Sequence, residues 1–234
     1  MVARSYLSHD IPVLGPIGVA VTGISTTPVT AIAADFVRHG ILFHNPNPTT
    51  TLRILPLGAT LVSGSGGIVI VPYGFAEFYD SSGGNMGDDD SLVRVNCGWQ
   101  VVADTAGAAG LTIWNWTEAN PAVTLAPMPL AQQNLDVDIS SPTAQAVTNL
   151  TTVSSQVRAA NQVRRGLYMH NPGATYAKGI APGNIAAAIG AGSIVLLPQA
   201  SKEIRARGKI RINCAFNAVT ANNADPDLTL LTYL

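Results

Sequence analysis

Arg38-His39-Gly40-Ile41-Leu42-Phe43-His44-Asn45-Pro46 returns later in the chain as Arg164-Arg165-Gly166-Leu167-Tyr168-Met169-His170-Asn171-Pro172. The offset is 126 (164 − 38). It also carries Ala20-Val21-Thr22 onto Ala146-Val147-Thr148, and Ile68-Val69-Ile70-Val71-Pro72 onto Ile194-Val195-Leu196-Leu197-Pro198. Beyond an insertion of nine residues within 80–91 of the first copy, the offset falls to 117 (214 − 97). It then maps Val93-Arg94-Val95-Asn96-Cys97 onto Ile210-Arg211-Ile212-Asn213-Cys214 and Leu111-Thr112 onto Leu228-Thr229. A self-similarity of this length marks a duplicated structural unit. The chain divides accordingly into an arm at 1–19, a first unit at 20–116, a linker at 117–145 and a second unit at 146–234.

Only 12% of the residues are charged, about half the usual share of a globular domain. Thirteen basic residues face fourteen acidic ones, and no basic face offers the phosphate neutralisation on which nucleic-acid binding depends. No nucleic-acid partner is expected. The opening Met1-Val2-Ala3-Arg4-Ser5-Tyr6 does not read as a secretory leader. The apolar stretch 180–200 is interrupted by Pro182, Gly183, Gly190, Gly192 and Pro198, so no membrane-spanning helix and no membrane partner are expected.

Each copy parses into about eight short extended runs, starting in the first near Ala20, Val29, Gly40, Thr51, Gly67, Phe75, Leu92 and Ala109. They are rich in Val, Ile, Thr and Leu and are separated by Asn-Pro, Gly-Gly and Asp/Asn breaks. This spacing is the signature of an all-β sandwich or barrel, and two tandem eight-strand β-sandwiches of jelly-roll type are the favoured form. Ala31–Ala34 and Ile185–Ile189 could each form one helical turn. The unbroken runs 68–71 and 194–197 predict strands covered on both faces, either central in a sheet or pressed against another subunit. Val93, Val95, Cys97, Trp99 and Val101 alternate, as do Ile210, Ile212, Cys214 and Phe216. Each cysteine is therefore expected on an inward strand position of its own core, without a disulfide between the copies.

Chemical motifs are thin. His44 and His170 recur in His-Asn-Pro, which reads as a strand-ending turn in preference to a metal site. Proline holds its predecessor extended, asparagine closes a turn on its own backbone, and histidine can cap a sheet edge. Asp88, Asp89 and Asp90 form an oxygen-rich loop inside the nine-residue insertion, but lack the alternation and the later bidentate Glu of a calcium loop. Glu77 and Glu203 match across the repeat, and each lacks a partner acid in its own copy. No nucleophile elbow, P-loop or dinucleotide fingerprint occurs. No catalytic residue, metal site or cofactor is expected, and the chain reads as a non-enzyme. Trp99, Trp114, Trp116 and Tyr233 could build a sugar platform, and Trp114 and Trp116 share a strand face. Their counterparts are Leu231 and Tyr233, which favours packing.

The unrepeated segments are apolar. Residues 1–19 contain Ile11-Pro12-Val13-Leu14-Gly15-Pro16-Ile17, and 117–145 contain Val123, Leu125, Met128 and Leu130 between prolines. A free linker is expected to be Gly/Ser-rich or charged. Tyr6, Ile11, Val13, Leu14, Ile17, Val123, Leu125, Met128 and Leu130 are accordingly candidate contacts to a partner.

The unit running from Arg164-Arg165-Gly166-Leu167-Tyr168-Met169-His170-Asn171-Pro172, through Gly192-Ser193-Ile194-Val195-Leu196-Leu197-Pro198, to Ile210-Arg211-Ile212-Asn213-Cys214 resembles small β-sandwich structural proteins of tailed bacteriophages. The likeness spans both copies. It implies a virion component assembled in the host cytoplasm, in the first place a head cement or decoration protein that binds the major capsid protein across subunit joints. It also implies a homo-oligomer, dimer or trimer. A tail, neck or fibre component is the alternative within the same class, and a carbohydrate-binding module that uses Trp114 or Trp116 is the alternative outside it.

Overall fold

A computed structural model describes residues 13–79, 95–118, 143–161, 164–205 and 212–233. The first copy consists of β1 (Val13–Ile24), β2 (Val29–Ile32), β3 (Arg38–His44), β4 (Leu52–Pro56), β5 (Ile68–Ile70), β6 (Phe75–Tyr79), β7 (Trp99–Ala103) and β8 (Ala109–Glu118). The second repeats them as β9 (Thr143–Val147), β10 (Ser155–Arg158), β11 (Gly166–His170), β12 (Lys178–Pro182), β13 (Ile194–Leu196), β14 (Ser201–Arg205), β15 (Phe216–Thr220) and β16 (Leu228–Tyr233). The sheets run β1-β8-β3-β6 and β2-β7-β4-β5 in the first copy, and β9-β16-β11-β14 and β10-β15-β12-β13 in the second. Every named pairing is antiparallel. This interleaved order is that of an eight-strand jelly roll, and it occurs twice with the same connectivity.

Alternation along each strand sorts the core. Ile41, Phe43, Ile54, Trp99, Val101, Leu111 and Ile113 fill the space between the two sheets of the first copy. Leu167, Met169, Ile180, Ile204, Phe216, Leu228 and Leu230 do the same in the second.

The repeated arginine that opens the signature is a buried clamp. Arg38 donates from Nε to Asn115 Oδ1 (2.9 Å), and from its terminal nitrogens to the carbonyls of Val95 (3.0 Å), Cys97 (2.7 Å) and Ala33 (2.7 Å). Arg164 repeats this on Ile212 (3.3 Å), Cys214 (2.9 Å) and Ala159 (2.5 Å). Each guanidinium thus satisfies turn carbonyls that have no strand partner. Burial lowers both arginine pKa values, that of Arg164 to about 10. The asparagine of His-Asn-Pro is a second hub. Asn45 donates to the carbonyls of Thr50 and Ile70, and Asn171 to those of Tyr176, Leu196 and Leu197. Each carbonyl oxygen of these side chains accepts an N–H two residues on, from Asn47 and Gly173.

The structure corrects several boundaries. β1 begins at Val13, so residues 13–19 of the expected arm are an edge strand paired with β8. Pro16 sits where the register shifts between Leu14 and Ile17, and a proline is tolerated at an edge irregularity. At the linker, β8 runs on to Glu118 and β9 starts at Thr143. β7 begins at Trp99 and β15 at Phe216, so Cys97 and Cys214 lie in bends and not on the strands, because the Arg38 and Arg164 clamps take the backbone of residues 95–97 and 212–214. Neither alanine-rich stretch forms a helical turn. Ala31 belongs to β2, and Ile185–Ile189 cross from β12 toward β13 without one. β5 and β13 are sheet edges, not central strands.

Both cysteines are free, and each packs against a core. Burial pushes the Cys214 thiol up to about 12 and raises that of Cys97, so neither forms a reactive thiolate at neutral pH.

One difference between the copies isolates a buried charge. Lys178 is fully buried on β12. Its Nζ donates to Thr220 Oγ1 (3.2 Å) and to the Asp225 carbonyl, and it pairs with Asp225 Oδ1 (3.2 Å). The first copy places Leu52, Ala103 and Ala108 at these positions, and Leu52 pairs with Ala103 as Lys178 pairs with Thr220. Breaking a buried pair strands one charge, whereas an apolar replacement of the whole cluster is often neutral. Lys178→Ala is therefore expected to cost about 3–5 kcal/mol. The triple change Lys178→Leu, Thr220→Ala, Asp225→Ala should stay within about 1 kcal/mol of the parent, read from urea unfolding midpoints.

Candidate interaction interface

The two jelly rolls meet face to edge. On β3 and β8 the inward residues alternate with Leu42, His44, Thr112, Trp114 and Trp116, which point out of the first sandwich and are all fully buried. Leu42, Trp114 and Trp116 belong to the same apolar cluster as the second copy's core. Trp114 packs on Phe216 at a ring separation of 5.7 Å and Trp116 on Tyr79 at 5.8 Å. The covering element is the β12–β13 side of the second copy.

Polar bonds fix the register of this joint. Gly18 N–H donates to Asn184 Oδ1 (2.9 Å), whose Nδ2 donates back to Gly18 O (2.9 Å). Gly15 and Asn213 exchange a similar pair. Thr112 Oγ1 donates to Ser193 O (2.8 Å) and accepts from Gly192 N–H (2.9 Å). Lys202 pairs with Glu77 and stands 4.3 Å from the centre of the Phe75 ring. A side chain at Gly18 would strike Ile185 at 2.6 Å, and one at Gly110 would strike Ala191 at 2.9 Å. Side chains of the second copy pack directly on the strand backbone here because both positions lack a Cβ.

His44 is the central polar contact. Its Nε2 accepts the N–H of Val195 (3.0 Å), the outward amide of edge strand β13. The proton therefore sits on Nδ1, which donates to Gly74 O (3.1 Å). The expected role of histidine as an edge cap is met, across the copies rather than within one. Burial is the main cause that pushes the His44 pKa down to about 4, and the Lys202 charge adds to it. His170, the counterpart, has Nδ1 buried without a hydrogen-bond partner and stacks beside Tyr168.

A folded pKa below the unfolded value of about 6.5 means that the unfolded chain binds the extra proton first. The contribution of His44 is complete above about pH 6.5, fades as pH falls toward 4, and is gone below that. At about 1.4 kcal/mol per unit the loss amounts to roughly 3 kcal/mol. The unfolding free energy of His44→Gln, which keeps an uncharged acceptor, should fall less than the wild type's between pH 7 and pH 4, and the difference between the two proteins reads this site alone.

The other candidate residues fall as follows. Ile17 is exposed on β1, and Val13 and Leu14 lie on the same strand. Tyr6, Ile11, Val123, Leu125, Met128, Leu130, Asp88, Asp89 and Asp90 lie outside the described residues. Complete burial of Trp114 and Trp116 leaves no ring face for a sugar, which overturns the platform reading. Among the described residues no three His, Cys, Asp or Glu side chains converge as a metal site would require, and no helix is long and apolar enough to cross a membrane. The joint itself went unread in the sequence. Its one signal was the exchange of Trp114 and Trp116 for smaller Leu231 and Tyr233 at outward positions.

No protein-family model matches the chain, and no curated protein is similar to it at a significant level. Among solved structures the chain is similar to a cupin 2 conserved barrel domain protein from Leptotrichia buccalis, at 10% identity and a TM-score of 0.29, covering 97% of this chain and 99% of that one. It is also similar to the STIV MCP, at 8% identity and a TM-score of 0.23, covering 93% and 95%. Likenesses this distant carry no argument about role.

Proposed function

We propose that the chain is a structural protein of a virion, and within it a cement or decoration protein of a tailed-phage head that binds the major capsid protein across subunit joints. The observation that carries this reading is the filled joint. Two jelly rolls are fused face to edge, and Leu42, Trp114, Trp116 and Phe216 fill the space between them. Two contact surfaces held at a fixed spacing that matches their sites let a bridging protein bind twice with a gain in effective concentration. The weakly charged surface suits broad contacts, and exposed Ile17 on edge strand β1 offers an apolar one.

The test is to locate the tagged chain by electron cryomicroscopy on purified particles, and to heat particles with and without it. The reading expects density over head subunit joints and rupture at a lower temperature when the chain is missing. Density at the tail or neck would replace the cement role with the alternative virion role. Absence from the particle would overturn both.

A further inference from the structure

We infer that this chain associates with copies of itself head to tail, through the outer face of its second jelly roll and the β5 edge of its first. The inference does not depend on the virion reading. Duplication means that each half of the internal joint exists twice. The chain uses the outer face of the first copy and the β12–β13 side of the second. Among the described residues, the outer face of the second copy and the β4–β5 side of the first are left over.

Both leftover halves keep part of what makes the internal joint. On the face, Tyr168, His170, Leu231 and Tyr233 stand where the first copy has Leu42, His44, Trp114 and Trp116, and all four are only half-buried. Gly166 repeats Gly40, Thr229 repeats Thr112, and Ala146 repeats Ala20, the residue whose Cβ lies against Gly192. On the edge, Val69 is the counterpart of Val195. Val195 is 4% exposed beneath the first copy, whereas Val69 is 47% exposed and Val71 57%. Leu57 and Val62 are exposed on the same side. Gly66 repeats Gly192, both at positive φ, and Asn96 repeats Asn213. An edge strand with apolar, uncovered side chains is a pairing surface unless something caps it. In the second copy the cap is the first copy's His44.

The occupant of the leftover face is therefore the β5 edge of another copy. In the docked pair the His170 imidazole stands where it can accept Val69 N–H, Ala146 lies against Gly66, and Tyr168 and Leu231 cover Val69 and its neighbours. Several contacts do not repeat: Gly18 and Gly110 correspond to Ala144 and Asp227, which carry a Cβ, and Asn184 corresponds to Gly58. Lys202 corresponds to Ala76, and Glu203 pairs with Arg205 of its own chain (2.8 Å), so the contact between molecules is weaker than the one within. Because the two halves differ, the contact is heterologous. It builds a ring where the rotation closes and a filament where it does not, rather than a two-fold dimer.

The experiment is sedimentation equilibrium with native mass spectrometry on the full chain. Val69→Glu with Val71→Glu spoils the edge, and Ala146→Arg spoils the face. All three positions are exposed, so the fold is retained, which circular dichroism checks. Wild type is expected to form assemblies larger than a dimer, and each variant alone to be monomeric. An equimolar mixture should give a one-to-one heterodimer, since one intact edge meets one intact face. A monomeric wild type, a variant that assembles alone, or a mixture that stays monomeric beside an associating wild type would each overturn the inference.

Discussion

Trp114→Ala destabilises the whole chain by about 4 kcal/mol, the range for emptying a fully buried large aromatic site, while Leu231→Ala at the matching position of the second copy costs about 1 kcal/mol, because that side chain is only half-buried. The asymmetry follows from the joint. Trp114 leaves its own sandwich to enter the second copy's core against Phe216. For a chain of this length about 4 kcal/mol lowers the melting temperature by roughly 10 °C. Calorimetry should show a single transition for both jelly rolls in the wild type, since they share a core. It should show two transitions in Trp114→Ala, as the copies lose their common packing.

The second large effect belongs to the arginine clamp. Arg38→Ala removes four hydrogen bonds and leaves the carbonyls of Ala33, Val95 and Cys97 without their donor. Each orphaned buried group costs about 1–3 kcal/mol, so a total of about 4 kcal/mol is expected, again from urea midpoints. Arg164→Ala should cost less. Its Nε has no partner, and neither has the Oγ1 of Thr232, which stands where Asn115 serves Arg38. Thr232→Asn supplies the missing acceptor and should stabilise the second copy by about 1 kcal/mol, the typical worth of one added hydrogen bond.

The architecture was readable in the chain because duplication samples the same fold twice. The strand starts at Val29, Gly40, Thr51, Gly67, Phe75 and Ala109 lie within two residues of the observed ones. Both failures have a physical source. Pro12, Gly15 and Pro16 look like punctuation, yet β1 absorbs Pro16 at an edge irregularity. Residues 93–97 alternate like a strand, but the Arg38 clamp, a contact between residues far apart in sequence, turns Val95–Cys97 out of the ladder. The joint was harder still. Alternation gives the side of a strand on which Trp114 sits, and only the fold shows that this outer side is covered by the other copy. The run 194–197 reads as covered on both faces and is so at Ile194–Leu196; the matching run 68–71 has the same pattern and leaves Val69 and Val71 exposed. Local pattern cannot distinguish them, since the cover comes from elsewhere.

The most direct test compares two backbone amides. Val195 N–H and Val69 N–H occupy the same place on the β13 and β5 edges, and only the first is held by a histidine of the other copy. Amide hydrogen exchange on the dilute, monomeric chain should find Val195 strongly protected and Val69 exchanging fast, with His44→Ala abolishing the difference. Equal, fast exchange at both sites in the wild type would contradict the joint, and with it the single two-lobed body on which the account rests.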